Sequence, residues 1–146
     1  MKPVYAIAVA LVAFGASAVL AQQDPIAARK ALMKSNGQAA GALAKMVKGE
    51  APFDLATAQK SFATFEDAAA KMPALFPDNS KTGGETAALP KIWEDMADFK
   101  AKFVKLGEDA KAAAASVKDL DSLKAAFGAV GKDCGGCHEL YRAKKS

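Results

Sequence analysis

The spacing of apolar residues constrains the fold of this chain more than any other feature. In four segments the apolar residues recur three and four positions apart, which is the period of one face of an α-helix. The pattern is clearest in residues 55–72, through Phe62 and Phe65, and in residues 93–106, through Phe99 and Phe103. No segment alternates between apolar and polar residues as a half-buried strand does. The sequence therefore predicts an all-α fold, an antiparallel four-helix bundle.

Capping residues and helix breakers mark where the four helices begin and end. Gly49 and Pro52 are expected to end the first helix, and Pro73 the second. Residues 73–89 contain two prolines and two adjacent glycines, so they predict a long loop, and long ordered loops in small domains often carry function. The predicted helix starts lie at or near four positions: Asp24, Asp54, Pro90, and Asp119 or Asp121.

Residues 1–21 have the composition of a secretory signal peptide. Lys2 precedes an apolar run that ends in small residues, and the polar stretch after Ala21 favours cleavage at that point. A membrane anchor is the alternative, because the run approaches the length of a short spanning helix. We expect removal of residues 1–21, export of the protein, and one domain over residues 22–146.

Charge and cysteine content narrow the classes of function. The formal net charge is +4, and loss of Lys2 leaves +3. Basic residues are spread along the chain rather than gathered in one tract, so nucleic acid is not an expected partner. Cys134 and Cys137 are the only cysteines. They lie too close together in the sequence for a disulfide between them to stabilise a secreted fold. We therefore expect the two cysteines to serve a local chemical site.

One short segment, residues 132–142, holds both cysteines and the only histidine, His138. Two cysteines three apart, followed directly by a histidine, form the attachment motif of a c-type haem. Thiols at this spacing can add to the two vinyl groups of one porphyrin, and the next side chain supplies an imidazole to the iron. We expect one covalent haem c near the C-terminus, bound through Cys134 and Cys137, with His138 as the proximal iron ligand.

Two other kinds of site use cysteines at this spacing. A thioredoxin-like pair lies at the start of a helix that follows a strand, whereas Cys134 and Cys137 fall near the end of a helical pattern. A structural zinc site takes four ligands, commonly as two spaced pairs, whereas this chain offers one cluster of three. Both alternatives fit the sequence less well than haem attachment does.

The position of the motif, at the end of four amphipathic segments, resembles the class II cytochromes c: the cytochrome c′ family and its low-spin relatives. The blocks that carry the resemblance span nearly all of residues 22–146: AARKALMKSNG (27–37), MVKGEAPFD (46–54), KTGGETAALPKIWEDMADF (81–99) and LKAAFGAVGKDCGGCHELYRAKK (123–145). The resemblance implies a periplasmic protein whose fourth helix holds the haem inside one end of the bundle. It also allows a homodimer through the first two helices.

The resemblance further implies which residues surround the haem. Arg29 and Lys30 of the first helix would lie near the propionates, and Arg142 would lie beside the proximal face. The loop residues Glu85 and Thr86 match positions that contact the haem in the family.

The sixth coordination position of the iron decides the chemistry. The resemblance assigns Met33 to the distal side, four residues after Arg29, and in the low-spin branch a methionine at this position binds iron. In cytochromes c′ proper the distal residue is usually apolar and unbound. Met72 and Met96 are expected in the core seams, because methionine is a common core residue.

Two functions follow from the two states of Met33. With Met33 bound, both axial positions are filled, and the protein would carry single electrons between periplasmic redox proteins rather than act as an enzyme. With Met33 unbound, the iron would bind small gases such as nitric oxide or carbon monoxide. A peroxidase fits less well, because it needs a second acid–base group and His138 is the only histidine. Once the signal peptide is removed, we do not expect the protein to bind a membrane.

Overall fold

Aspartate side chains begin the four long helices. The structure, a computed structural model, describes residues 24–144, and the predicted signal peptide lies outside them. The caps are Asp24, Asp54, Asp95 and Asp119, whose carboxylates accept hydrogen bonds from backbone N–H groups two or three residues ahead. These bonds satisfy donors that the first turn of a helix leaves unpaired. The helices are α1 (Pro25–Val47), α2 (Leu55–Lys71), α3 (Lys91–Glu94), α4 (Met96–Ser116) and α5 (Leu120–Tyr141).

The four long helices form the predicted antiparallel bundle, so the fold class is confirmed. α2 packs extensively against α1 and α4, and α4 packs against α5, whereas α1 and α5 touch only sparingly. Each long helix contributes large side chains to one apolar core, including Leu43, Phe62, Phe103 and Leu123. No helix within residues 24–144 is both long enough and apolar enough to cross a membrane.

The third helix differs from its prediction. The sequence predicts one helix from near Pro90 through Leu106, whereas the structure has the single turn α3 followed by α4. The chain breaks at Asp95, whose φ of −133° and ψ of 63° leave the helical region. The Asp95 carboxylate then accepts the backbone N–H of Asp98 at 3.1 Å. Because this bond offers the backbone a cap in place of a continued helix, α4 starts anew after Asp95.

The inner face of α1 differs from its prediction near the end of the helix. The spacing predicts an inner stripe of Ile26, Met33, Gly37, Ala40, Ala44 and Val47. The structure buries Ile26 and packs Ala40 and Val47 against the core, but the most buried residues near the end are Leu43 and Met46, at 0% and 3% exposure. Small residues dominate the stretch just before them, residues 37–42, so the periodic pattern defines the rotation there only weakly. The larger side chains therefore decide which face meets the core.

The end of the long loop pairs with the end of α5. The N–H of Leu89 donates to the carbonyl of Tyr141 at 3.0 Å, and the N–H of Ala143 donates to the carbonyl of Ala87 at 2.8 Å. These two bonds flank an isolated antiparallel bridge. The pairing holds residues 86–90 beside the helix that carries the cysteines.

Candidate haem site

A cavity of about 510 Å³ lies where α1, α4, α5 and the long loop meet. This volume falls within the range of small-molecule and cofactor pockets, roughly 300–1,000 Å³. All but one of the residues predicted to surround a haem line it: Arg29, Lys30, Met33, Thr86, Cys134, Cys137, His138 and Arg142. Glu85 lies outside the lining, with its side chain 92% exposed.

The last turns of α5 present the motif to the cavity. Cys134, Cys137 and His138 lie on one side of the helix, because residues three and four apart are neighbours on a helix surface. All three side chains are half-buried, whereas Gly135 and Gly136 are exposed. A continuous helix therefore sets the spacing of two thiols and an imidazole along one wall.

Two glycines leave room in the cavity. Gly37 of α1 and Gly131 of α5 both line it, and a Cβ built on either residue would meet no atom within 4 Å. A side chain at either position would therefore take up cavity volume.

Burial keeps both thiols in their protonated form at neutral pH. It raises the pKa of Cys134, and the neighbouring carboxylate of Asp133 raises it further. It also raises the pKa of Cys137, where Lys102 acts in the opposite direction. Thioredoxin-like cysteines instead have lowered pKa values and lie at a helix N-terminus. The environment of this pair does not match that class of site.

The environment of His138 favours a neutral imidazole. Burial lowers the pKa of His138, and the positive charge of Arg142 lowers it further. A neutral imidazole is the form that binds a metal ion. At neutral pH the side chain is therefore ready to act as a ligand.

Arg29 joins α1 to the long loop from a buried position, at 6% exposure. Its Nη2 donates to the carbonyl of Ser80 at 2.9 Å, and its guanidinium lies 4.3 Å from the ring centroid of Phe76. A longer contact of 3.5 Å joins Nη2 to Oγ1 of Thr86. Burial lowers the pKa of Arg29, with Asp24 opposing the shift, but an arginine stays charged in a protein.

Lys30 makes a second link between α1 and the loop. Its Nζ lies 3.3 Å from Oε2 of Glu85 and 3.4 Å from the carbonyl of Gly84. Glu85 adopts a positive φ of 54°, in a loop where Gly83 and Gly84 also have positive φ. This exposed ion pair contributes little to stability. Within residues 24–144, Glu85 meets the site only through Lys30, which lines the cavity.

Met33 is the methionine of α1 that reaches the cavity, and its side chain is 36% exposed. The other methionines have different surroundings. Met46 is buried, and its sulfur accepts the N–H of Asp54 at 3.3 Å. Met96 is partly buried against the core, and Met72, at 1% exposure, belongs to the core while also touching the lining. Core packing therefore accounts for Met46, Met72 and Met96, as the sequence predicts for the last two.

Several lining residues are absent from the predicted site, and four of them are polar or aromatic side chains of particular interest: Asn36, Phe76, Lys102 and Asp133. Oδ1 of Asn36 and Oδ2 of Asp133 are buried and make no hydrogen bond to the described residues. Adjacency to Cys134 is the one signal in the sequence that could have drawn attention to Asp133. Nothing near Lys102 in the sequence points to the motif, because α4 and α5 meet only in the folded bundle.

The residues of the cavity fit a haem. Two thiols, an imidazole and the thioethers of Met33 and Met72 line an otherwise largely apolar wall. Four cationic side chains suit the two propionates: Arg29, Lys30, Lys102 and Arg142. A four-helix bundle with such a cavity between its helices belongs to the class of bundle cytochromes.

Comparison with known proteins supports this class. The family model described as Cytochrome C' matches residues 24–142. A cytochrome c' of Rhodopseudomonas palustris is 54% identical over 93% of this chain and 93% of its own length. A cytochrome c-556 of the same organism is 38% identical over 89% of this chain and 90% of its own length.

A solved structure of cytochrome c' from Rhodopseudomonas palustris superposes with a TM-score of 0.83. It is 55% identical and covers 86% of this chain and 100% of its own. The chain therefore belongs to the cytochrome c′ family, and its cofactor is one covalently bound haem c. The predictions of the family and of the cofactor are confirmed.

Proposed function

We propose that the protein is a periplasmic carrier of single electrons rather than an enzyme. Cys134 and Cys137 hold the haem, and His138 and Met33 bind its iron. The bound haem supplies an iron that takes up and releases one electron. A reduced redox protein donates this electron and an oxidised one accepts it, so the cycle needs no further reactant.

One observation supports the electron carrier above all: His138 and Met33 line the same cavity from two different helices, α5 and α1. An imidazole and a thioether are the ligand pair of cytochromes that transfer electrons. Met33 also differs from Met46 and Met96, because neither core packing nor a hydrogen bond explains its position. This arrangement supports axial ligation by one residue from the first helix and one from the last.

The two thiols have a direct route to thioethers. Cys134 and Cys137 would hold the haem by adding S–H across its two vinyl groups, with the sulfur bonding to one carbon and the hydrogen going to the other. No oxidant is consumed in this addition. Because burial raises the pKa of both thiols, Cys134 and Cys137 remain protonated and resist loss to a disulfide before attachment.

The charged residues around the cavity hold the acidic groups of the haem. Arg29, Lys30 and Arg142 supply donors and positive charge, and the hydroxyl of Thr86 adds a donor. Glu85 contributes through its ion pair with Lys30. The same cations favour a redox partner that carries acidic residues around its own cofactor.

Absorption spectra of the haem-loaded protein test the axial ligation, with Met33→Leu compared with Met96→Leu. We expect a six-coordinate low-spin spectrum with a far-red iron–sulfur band. Met33→Leu should remove the band, whereas Met96→Leu, the same chemical change at a core position, should keep it. A high-spin wild-type spectrum, or a band that survives in Met33→Leu, would contradict ligation by Met33.

The second candidate function is the binding of nitric oxide or carbon monoxide at an open iron site. The exposure of Met33, at 36%, favours it, because a side chain not locked by packing is easier to displace. The similarity to a protein named cytochrome c' also supports it. Addition of carbon monoxide to the reduced protein separates the two functions: a large, rapid spectral change indicates gas binding, and a small or slow one indicates an electron carrier.

A further inference from the structure

A partly satisfied carboxylate lies in the wall of the haem cavity. Asp133 immediately precedes Cys134 on α5, its side chain is 10% exposed, and it lines the cavity. Oδ1 lies 2.9 Å from Nζ of Lys105 on α4. Oδ2 is buried and accepts no hydrogen bond from the described residues. A buried carboxylate oxygen without a hydrogen bond lowers the free energy of unfolding, and such groups are rare in native structures.

Lys105 does not neutralise Asp133 fully, because it is shared. Its Nζ also forms an ion pair with Asp109, one turn further along α4. The hydrogen bonds to Asp109 and Asp133 raise the pKa of Lys105, so the ammonium stays charged. Two carboxylates and one ammonium leave a formal charge of −1 at the boundary of α4 and α5. Of the three groups, only Asp133 lines the cavity.

Asp133 also differs in sign from the other charges around the cavity. Among the described residues of the lining it is the one carboxylate, and the same lining contains four cations: Arg29, Lys30, Lys102 and Arg142. Charges interact more strongly inside a protein than in solvent, because the effective dielectric constant is lower. A carboxylate beside the first attachment cysteine is therefore placed to act on a charge held in the cavity.

We propose that Asp133, held in the cavity wall by Lys105, lowers the reduction potential of the haem. The oxidised iron carries one more positive charge than the reduced iron, so a nearby negative charge stabilises the oxidised form. Lys105 limits this effect by offsetting part of the charge. The proposal rests on haem attachment beside Asp133 and does not depend on whether Met33 binds the iron.

Redox titration of haem-loaded variants tests the proposal, with Asp133→Asn compared with Asp109→Asn. Both changes remove one carboxylate from the same lysine, but only Asp133 lines the cavity. At a fixed applied potential, Asp133→Asn should raise the ratio of reduced to oxidised protein about tenfold, or ~59 mV for a one-electron couple. Asp109→Asn should raise it by less than about threefold, because its charge lies outside the cavity wall.

Lys105→Gln provides a test of opposite sign. Removing the ammonium leaves Asp133 unopposed, so the ratio of reduced to oxidised protein should fall. A role limited to joining α4 and α5 would lower the stability of all three variants without shifting the potentials in opposite directions. Equal potentials for Asp133→Asn and wild type, or equal shifts for Asp133→Asn and Asp109→Asn, would overturn the proposal.

Two controls distinguish this proposal from a failure of haem attachment and from a failure of the proposed axial ligation. If Asp133→Asn fails to acquire haem, the Lys105→Gln variant decides, and a rise in its potential refutes the idea. Repeating Asp133→Asn in a Met33→Leu background separates this proposal from the proposed axial ligation. A high-spin spectrum of the protein with Met33 intact contradicts the ligation alone, whereas absence of the Asp133 shift in both backgrounds contradicts the tuning role.

Discussion

Substitution of Gly84 by alanine should destabilise the protein through one identifiable contact. Gly84 has a φ of +52°, and a Cβ built on it would lie 3.0 Å from Cγ2, 3.3 Å from Cβ and 3.3 Å from Cδ1 of Ile26. Ile26 is buried in the first turn of α1, and a β-branched side chain in a helix has one strongly preferred χ1 rotamer. The clash must therefore be relieved by moving the loop or the helix.

The expected loss has two parts. Placing a residue with a Cβ in the left-handed region costs about 1–2 kcal/mol, and inserting a methyl group into a packed contact costs about 1–3 kcal/mol more. Gly83→Ala is the matched control, because Gly83 has a φ of +88° while its Cβ would meet nothing within 4 Å. The difference between the two variants, about 1–3 kcal/mol, isolates the contact with Ile26.

Urea unfolding of the haem-loaded protein, followed by circular dichroism, measures both variants. Equal slopes with a lower midpoint for Gly84→Ala than for Gly83→Ala would report a pure loss of native-state stability. Variants that unfold at the same midpoint would refute the reasoning, because only the conformational penalty would then remain. A higher midpoint for Gly84→Ala would mean that the loop moves away from Ile26 without loss.

Three further predictions concern the core, a buried hydroxyl and a helix cap. Phe62→Ala, at a fully buried position, should lower the unfolding free energy by about 3–5 kcal/mol in a urea titration, whereas Val104→Ala, at 61% exposure, should change it by less than about 0.5 kcal/mol. The Tyr141 hydroxyl donates to Asp98 and holds the pKa of that carboxyl below its usual range, so Tyr141→Phe should lower the melting temperature at pH 7. Because the folded-state pKa of Asp98 lies below its unfolded value, the stability that this carboxylate contributes is present above the unfolded pKa and is lost as pH falls through the folded pKa. The difference in melting temperature between Tyr141→Phe and wild type should therefore shrink towards pH 3. Asp119→Ala removes the helix cap of α5, and hydrogen bonds from Ser122 likewise lower the pKa of the Asp119 carboxyl. The effect of this substitution on the melting temperature should disappear in the same acid range. A difference that persists at pH 2 would contradict an origin in the charge of Asp119.

The bundle was predictable because its signal is local. Phe62, Phe65, Phe99 and Phe103 repeat at the helical period, and the structure buries all four. The sequence does not predict the break at Asp95, because the apolar period continues across it and does not report a cap. In the second half of α1 small residues leave the period faint, so the spacing does not predict that Leu43 and Met46 are the most buried residues there.

The site was predictable to the extent that its residues adjoin a motif. Cys134, Cys137 and His138 occupy consecutive positions on one helix face, which the sequence displays directly. Asp133 became notable only through Lys105, which lies on a different helix. Such a pairing depends on how α4 packs against α5, and no local pattern records that packing.

Arg29 illustrates the same limit over a longer distance. The resemblance placed it near the haem, and it does line the cavity. Its bond to the carbonyl of Ser80 joins residues 51 positions apart in the chain. The burial of this cation could not be predicted from the local sequence, because contacts from remote segments of the chain must offset its desolvation.

The pairing between residues 87–89 and the end of α5 completes a set of bonds that connects the long loop, α1 and α5. Backbone bonds tie the loop to α5 at Leu89 and Ala143, and Arg29 and Lys30 tie the same loop to α1. Since α1 and α5 touch only sparingly, the loop works as a brace that sets the gap between the two cavity walls. The amides of Leu89 and Ala143 should then show one common opening free energy in hydrogen exchange, because both of their bonds break when this brace opens.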